Sequence, residues 1–207
     1  MRSAIILAAG KGTRMKSALN KVMHPVSNKP MIGHIVCSLR NAGVDNIVVV
    51  VGHGADSVRE YLGDSVSYAV QEPQLGTGHA VMQAQCLKDM DGDTLILNGD
   101  GPCIQSETIE KVFAANADSE MTVLTAVLDD GERYGRIIRN AEGYVDRIVE
   151  AKDCTPQELA VTEINTGIFC FKNRLLFAHL QDIRNDNAQQ EYYLTDLVAI
   201  FNRCGLR

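Results

Sequence analysis

Short apolar runs that stop at glycine alternate with segments of helical periodicity through the first half of the chain. The runs at 3–9 and 46–51 each begin at a polar residue, Ser3 and Asn46, then stay apolar without a break and lead into Gly10 and Gly52. Strands buried on both faces show such unbroken runs, because neither face meets water. We therefore expect parallel strands here, joined by helices in βαβ units.

The helices between these strands are predicted from spacing and from their end signals. Residues 30–42 carry apolar residues at helical spacing, between Pro30 at the start and Gly43 as the stop. The other elements predicted in this half are helices at 55–62, 78–86 and 106–115 and strands at 66–70 and 94–97.

The pattern changes after residue 115, where strand-like runs follow one another without long helices. Turn residues at Asp130-Gly131 and Glu142-Gly143 favour antiparallel pairing. Strands are predicted at 121–128, 135–139, 144–150 and 163–171, followed by helices at 175–180 and 191–203 with a C-cap at Cys204-Gly205. The pattern predicts one α/β domain over residues 1–207, Rossmann-like, with a mostly parallel central sheet and a small antiparallel extension.

The net charge of −6 narrows the classes of partner. An acidic surface disfavours nucleic acid, whose phosphates need a basic footprint, but it permits a small anionic ligand in a local positive pocket. No apolar stretch approaches about 18 residues and the N-terminal run is too short for a signal sequence, so we expect a cytoplasmic protein without membrane insertion. The six cysteines form no CxxC pair and several lie in apolar runs, which predicts buried, reduced thiols.

A glycine-rich segment follows the first predicted strand directly and reads Leu7-Ala8-Ala9-Gly10-Lys11-Gly12-Thr13-Arg14-Met15. Its glycines let the backbone approach a ligand closely, and successive N–H groups in such a loop form a concave anion site. Lys11 and Arg14 add positive charge, and Lys21 follows shortly after. The segment is neither a dinucleotide fingerprint, which needs a glycine where Met15 stands, nor a Walker A loop, which needs four residues between its glycines. A polyphosphate site is favoured over the alternative, a plain strand-to-helix turn.

One carboxylate stands out as a candidate metal ligand. Asp100 follows the predicted strand 94–97, directly behind Asn98 and Gly99. A carboxylate at the carboxyl edge of a parallel sheet faces the ligand crevice, and Mg²⁺ binds one or two carboxylates together with phosphate oxygens. An aspartate that caps the next turn is the alternative. The histidines show no metal-ligand spacing, and a loop or capping role is expected for His79.

The order of several motifs resembles that of one enzyme family. Besides the loop 7–15 and Lys21, these motifs are Gln71-Glu72-Pro73-Gln74-Leu75-Gly76-Thr77-Gly78-His79-Ala80, Gly99-Asp100, Tyr134-Gly135-Arg136-Ile137, Ile148-Val149-Glu150, Lys152-Asp153, Glu163-Ile164-Asn165-Thr166-Gly167 and Glu191-Tyr192-Tyr193-Leu194-Thr195-Asp196. They are similar to those of the sugar-phosphate nucleotidyltransferases, the GT-A-like pyrophosphorylases. Within this family, essentially the whole chain resembles the N-terminal uridyltransferase domains of bifunctional bacterial N-acetylglucosamine-1-phosphate uridyltransferase / glucosamine-1-phosphate acetyltransferases.

The resemblance implies a role for each matching residue. The positions implied to bind the nucleotide are Leu7, Ala8, Ala9, Gly10, Gln71, Gly76 and Thr77. The positions implied to bind the sugar phosphate are Asn98, Gly99, Asp100, Gly135, Glu150 and Asn165, with Asp100 also the Mg²⁺ ligand. Arg14 and Lys21 are implied to be catalytic, steadying the pyrophosphate and the transferred group. Without the resemblance, Gly76-Thr77 would be an ordinary turn and N-cap.

The reaction implied by the resemblance is uridyl transfer from UTP to N-acetylglucosamine 1-phosphate, which gives UDP-N-acetylglucosamine and pyrophosphate for cell-wall and lipopolysaccharide precursors. The sugar phosphate is already a nucleophile at neutral pH, so catalysis needs positioning and charge neutralisation with Mg²⁺ and no general base. The alternatives are transfer to another sugar 1-phosphate or from another nucleotide, and a nucleotide-sugar-binding fragment with little turnover.

The resemblance also implies what surrounds this chain. In the family, a second Mg²⁺ ligand, an asparagine, follows the final helix, and a left-handed β-helix acetyltransferase domain forms a trimer. We therefore expect the chain to be a piece of a longer, trimeric protein and to be monomeric by itself.

Gly101 and Cys103 stand where the family more often has larger aliphatic residues, so altered loop packing is expected beside Asp100.

Overall fold

The computed structural model describes residues 1–206 apart from Lys11, Thr13, Arg14, Lys16, Ala18 and His53. Its strands are β1 (Arg2–Ala8), β2 (Pro25–Val26), β3 (Lys29–Pro30), β4 (Asn46–Val51), β5 (Ser67–Val70), β6 (Asp93–Asn98), β7 (Met121–Val127), β8 (Arg136–Arg139), β9 (Val145–Val149) and β10 (Glu163–Lys172). Its α-helices are α1 (Met31–Asn41), α2 (Ala55–Leu62), α3 (Thr77–Met82), α4 (Ser106–Ala115), α5 (Pro156–Leu159), α6 (Asn173–His179) and α7 (Asp196–Arg203).

Within the described residues, eight strands form one sheet in the order β5-β4-β1-β6-β10-β8-β9, with β7 paired to β10. The strands β5, β4, β1 and β6 run parallel. The chain builds outward from β1 through β4 to β5 and then returns to place β6 on the other side of β1. Such a reversal is a topological switch point, and ligands of open α/β sheets bind in the crevice beyond the carboxyl ends of the strands there. The topology therefore points to the ends of β1 and β6.

Strand β10 joins the parallel strands to an antiparallel part of the sheet. It pairs with β6 through residues 169–172 and with β8 at Ile164. It also pairs with β7, and the register of this pairing shifts between Asn165 and Ile168. Bulges of this kind re-aim side chains and are frequent beside binding sites. The predicted fold, a parallel sheet continued by an antiparallel extension, is confirmed.

Both faces of β1 are buried, which explains its unbroken apolar sequence. Ile5 packs into a cluster covered by α3, α6 and α7, whereas Ala4 and Ile6 pack on the opposite face against α1, α2 and α4. Complete burial of an isoleucine side chain is worth about 1.5–3 kcal/mol. The sheet is therefore a rigid central layer that fixes where the strand ends lie.

The C-terminal helix is shorter than its periodicity predicts. The sequence predicts a helix over 191–203, but α7 begins at Asp196. The preceding segment bonds to the loop after β5 instead, where Tyr192 N donates to Leu75 O at 2.8 Å. Tertiary hydrogen bonds thus override the local helical preference.

Other elements also differ from the sequence prediction. The helix predicted at 78–86 ends at Met82, and the short elements β2, β3 and α5 were not predicted.

The prediction of buried cysteines was wrong for Cys37, Cys86, Cys103 and Cys204, which are exposed, and correct for Cys170. No helix in the described part of the chain is both long and apolar enough to cross a bilayer.

Candidate functional site

A cleft of about 610 Å³ opens at the carboxyl ends of β1 and β6, where the topology places a ligand crevice. Ten residues predicted to form the site line it: Leu7, Ala8, Ala9, Gly10, Lys21, Gln71, Gly76, Thr77, Asn98 and Asp100. They come from four separate stretches of sequence. The fold therefore gathers into one cavity the residues predicted to bind the nucleotide, the candidate metal ligand and one candidate catalytic cation.

The ends of β1 and β6 form the floor of this cleft. Leu7 and Asn98 are register partners on the two parallel strands. Gly99 N donates to Leu7 O at 2.9 Å, and a Cβ on Gly99 would lie 2.9 Å from Val22 Cγ1. Gly99 itself is not among the residues that line this cleft or the second cavity described below. Its small size lets the strand ends and the Lys21 segment pack together.

Lys21 and Asp100 form an ion pair across the cleft, although they are 79 positions apart in the sequence. Lys21 opens a short 3₁₀ turn whose preceding residue, Asn20, accepts a hydrogen bond from Val22 N through its side chain. Both charged side chains are about one-third exposed, at 33% and 34%. The carboxylate is therefore accessible to a ligand and already neutralised by a cation. Arg14, the other candidate catalytic residue, lies outside the described residues.

The loop after β5 supplies the wall opposite the strand ends. Gly76 has a φ of +108°, and a Cβ there would lie 2.6 Å from Tyr192 O, so the position requires glycine. Two hydrogen bonds tie the loop to the segment before α7: Gly78 N to Tyr192 O at 2.7 Å and Leu194 N to Thr77 Oγ1 at 3.0 Å. The wall is held in place by residues more than a hundred positions later.

A second cavity of about 230 Å³ adjoins the cleft. Gly135, Glu150 and Asn165, which were predicted to bind the sugar phosphate, all line it. The two cavities share three lining residues: Leu7, Thr77 and Asn98. Two separately lined spaces with a common wall can hold two ligands next to each other.

Hydrogen bonds hold the polar groups of the second cavity in fixed orientations. Asn165 Oδ1 accepts from Gly167 N at 2.9 Å within the β10 bulge, and Thr195 Oγ1 donates to Glu150 Oε1 at 3.2 Å. Burial raises the pKa of Glu150 above its usual value, and the bond from Thr195 partly offsets this. Glu150 is thus a partly desolvated acceptor for hydroxyl or amide donors.

The cavities also include residues that the sequence did not single out. Gln74 and Glu191 line the first, and Arg133, Tyr134 and Thr166 line the second. Their place in the sequence could have identified them, because all five lie within or beside the motifs that carry the family resemblance. Arg133 brings a positive charge to the cavity that holds Glu150.

Arg136 holds the loop that borders the second cavity. Its side chain is buried, and its guanidinium donates to four backbone carbonyls: Gly131 O at 3.1 Å, Glu132 O and Leu159 O each at 3.4 Å, and Tyr134 O. Each of these bonds satisfies a carbonyl that would otherwise have to find water. The loop that carries Arg133 and Tyr134 is therefore shaped around this one side chain.

Replacing Arg136 with methionine is expected to lower the free energy of unfolding by about 2–3 kcal/mol, because carbonyls in the loop lose their donor. It should also weaken the binding of a sugar phosphate while leaving nucleotide binding nearly unchanged. Urea denaturation and calorimetry with each ligand measure the two effects. Arg174→Met is the control, since Arg174 lies in a highly exposed pair with Asp91, and such pairs contribute little. Equal losses in both variants would contradict this role for Arg136.

The sequence matches a family model described as nucleotidyl transferase over residues 3–202. The bifunctional protein GlmU of Latilactobacillus sakei is 52% identical over 207 residues, covering 99% of this chain and 45% of that protein. GlmU of Limosilactobacillus reuteri is 53% identical over 205 residues, covering 98% and 45%. The chain thus spans less than half the length of these curated relatives.

Solved structures show the same fold. A UDP-glucose pyrophosphorylase complexed with UDP-glucose superposes with a TM-score of 0.84 at 19% identity, covering 99% of this chain and 88% of that chain. A putative glucose-1-phosphate thymidylyltransferase from Bacillus anthracis has a TM-score of 0.78 at 25% identity, covering 100% and 85%.

Proposed function

The chain belongs to the nucleotidyl transferase family, and on that premise we propose that it transfers a uridyl group from UTP to N-acetylglucosamine 1-phosphate, releasing pyrophosphate. The motifs shared with uridyltransferase domains support this pair of substrates, and a fold neighbour was solved with UDP-glucose. The family match over residues 3–202 also supports a single nucleotidyltransferase domain. We further propose that this domain is one part of a longer protein, as it is in the GlmU relatives.

The observation that carries the proposal is the pair of adjoining cavities. The larger is walled by the glycine-rich strand end and the loop of Gln71 and Gly76, and the smaller by Glu150 and Asn165. A transferase that joins two ligands needs them side by side with the reacting atoms near the common wall. Asn98 belongs to that wall, and Asp100 follows it by two residues.

The residues of the cleft fit a Mg²⁺ ion that is shared with substrate phosphates. Asp100 offers a partly exposed carboxylate on the cleft. Among the described residues, no cluster of three or more His, Cys, Asp or Glu side chains could hold a metal by itself. Magnesium sites completed by phosphate oxygens need only one or two carboxylates. We propose that Asp100 is the ligand from this chain and that Lys21 turns from it toward a phosphate when the ion binds.

In the proposed reaction, an oxygen of the sugar phosphate attacks the α-phosphorus of UTP. A P–O bond forms there, and the bond from the α-phosphorus to the bridging oxygen breaks, leaving its electron pair on pyrophosphate. Bound Mg²⁺ supplies charge neutralisation of the phosphates. Lys21 adds a second positive charge, and we propose the same role for Arg14. Glu150 and Asn165 orient the sugar by hydrogen bonds, and Thr195 fixes Glu150 through its hydroxyl.

Release of pyrophosphate from UTP tests the proposal when it is measured with a panel of sugar 1-phosphates. Mg²⁺-dependent release with N-acetylglucosamine 1-phosphate, and much slower release with glucose 1-phosphate, is the expected result. Faster turnover of another sugar phosphate would change the assigned substrate. Tight UTP binding without release under any condition would show a binding module instead.

A further inference from the structure

Gln71 makes hydrogen bonds that leave its amide with only one free group. The residue is 3% exposed and lines the larger cavity. Its Nε2 donates to Gly76 O at 2.9 Å and lies 3.1 Å from His79 Nδ1. A primary amide nitrogen carries two N–H groups, so these two contacts use both. The carbonyl oxygen, Oε1, is the group that Gln71 can offer to a ligand.

The orientation of this amide is fixed by chemistry. Gly76 O can only accept a hydrogen bond, so the atom facing it must be the amide nitrogen. If the amide turned by 180°, two oxygens would face each other in a buried position, which is unfavourable. Gly76 O therefore holds the Gln71 amide nitrogen toward the protein by accepting its first N–H. His79 Nδ1 accepts the second N–H.

His79 also lies close to the side chain of Gln83. Gln83 Nε2 is 3.3 Å from His79 Nε2 and donates to His79 O at 2.9 Å. A neutral imidazole accepts at only one of its two nitrogens, so both amide nitrogens cannot donate to the ring. We assign the accepted bond to Gln71, because this contact is shorter and Gln71 is buried and fixed by Gly76. Gln83 is half-buried and keeps its bond to the backbone.

We infer that His79 is a positioning residue for base selection: by accepting one N–H of Gln71, it leaves that amide as an acceptor only toward the nucleotide. An acceptor pairs with the ring N–H of uracil. It faces the bare ring nitrogen of cytosine unfavourably, and such a mismatch excludes the wrong ligand as effectively as a contact favours the right one. The inference rests on the proposed function, because it requires the nucleotide to occupy the larger cavity.

Removal of the His79 acceptor frees an N–H of Gln71. Only the bond to Gly76 O then opposes rotation of the amide, and a rotated amide presents an N–H to cytosine, so discrimination should fall although no residue that touches the base has changed. Thermodynamic coupling follows as well. Once Gln71 itself is truncated, His79 has no amide left to orient. The effects of the two substitutions on the ratio of dissociation constants should therefore not be additive.

The test compares four variants of the 207-residue chain with the unaltered protein by calorimetry with UTP and with CTP in Mg²⁺. They are His79→Leu, which removes the acceptor, His79→Asn, whose amide oxygen can replace Nδ1, Gln71→Ala and the double variant Gln71→Ala with His79→Leu. His79→Leu should lower the ratio of the CTP and UTP dissociation constants by about tenfold, the scale of one hydrogen bond. His79→Asn should keep the ratio within about twofold, and the double variant should match Gln71→Ala.

Several results would overturn the inference. One is an unchanged ratio in His79→Leu; another is equal loss in His79→Asn and His79→Leu, which would indicate a packing role only. Additive losses in the double variant would also contradict it, as would equal affinity of the unaltered chain for UTP and CTP. Thermal melts of each variant separate misfolding from altered recognition. Absence of any UTP binding by the unaltered chain is a different result, because it refutes the proposed function itself.

Discussion

Asp100→Asn is expected to lower kcat/KM for the proposed uridyl transfer by about 10³-fold, the largest effect of any single substitution in the cleft. The change removes the carboxylate that can bind Mg²⁺ and keeps the size of the side chain. Loss of one preorganised charge at phosphates costs about 10²–10³-fold, and loss of the metal with it brings the effect to the upper end. Initial rates of pyrophosphate release over a Mg²⁺ titration measure it, and the variant should need more metal for half-maximal rate.

Folding should be nearly unaffected by the same substitution. The pair of Asp100 with Lys21 is about one-third exposed on both sides, and exposed ion pairs contribute about 0–1 kcal/mol. Asp91→Asn is the matched control, because it removes the same charge from an exposed pair with Arg174 far from the cleft. An Asp100→Asn protein with normal kcat/KM would remove Asp100 from the proposed metal site. A protein that loses activity only by unfolding would assign it a structural role.

The fold could be predicted from sequence where one local signal decided the structure. The unbroken apolar runs at β1, β4 and β6 require burial on both faces, and the sheet provides it. The start of α7 could not be predicted this way. Residues 191–195 have helical spacing, but the loop after β5 takes Tyr192 and Leu194 as hydrogen-bond partners. Such long-range partners are not visible in a window of local sequence.

The candidate site likewise contains residues that local sequence predicts and residues that it does not. The glycine-rich strand end and Asp100 carry their own chemistry, and the structure places them in one cleft. Gly135, Glu150 and Asn165 have no local signal and were predicted only through the family resemblance. The hydrogen bonds of Arg136 and the contact of His79 with Gln71 were not predicted, because each depends on what the side chain meets in three dimensions.

One segment connects the two cavities physically. Tyr192 and Leu194 bond to the loop that carries Gly76 and Thr77, beside the larger cavity. The next residue, Thr195, donates to Glu150 in the smaller cavity. A shift of this segment would therefore move a wall of the larger cavity and a wall of the smaller one together.

Lys21→Ala is expected to lower kcat/KM by about 10²-fold, the scale of one charged contact to a transferring phosphate. At the same time it should tighten the binding of Mn²⁺, used as a probe for Mg²⁺, to the chain without nucleotide. The reason is the ion pair: Lys21 neutralises Asp100 when no ligand is present, so a metal must displace it. Exposed pairs of about 0.2–1 kcal/mol correspond to a few-fold change in metal affinity.

These opposite signs distinguish a catalytic cation from a structural one. A lysine that only held the cleft in shape would, when removed, weaken both metal binding and turnover. Lys111→Ala is the control, because Lys111 is exposed on α4 and its loss removes the same charge. Electron paramagnetic resonance of free Mn²⁺ gives the affinity, and pyrophosphate release gives kcat/KM. Weaker Mn²⁺ binding in Lys21→Ala, or turnover equal to that of Lys111→Ala, would contradict the proposed displacement of Lys21 by the metal.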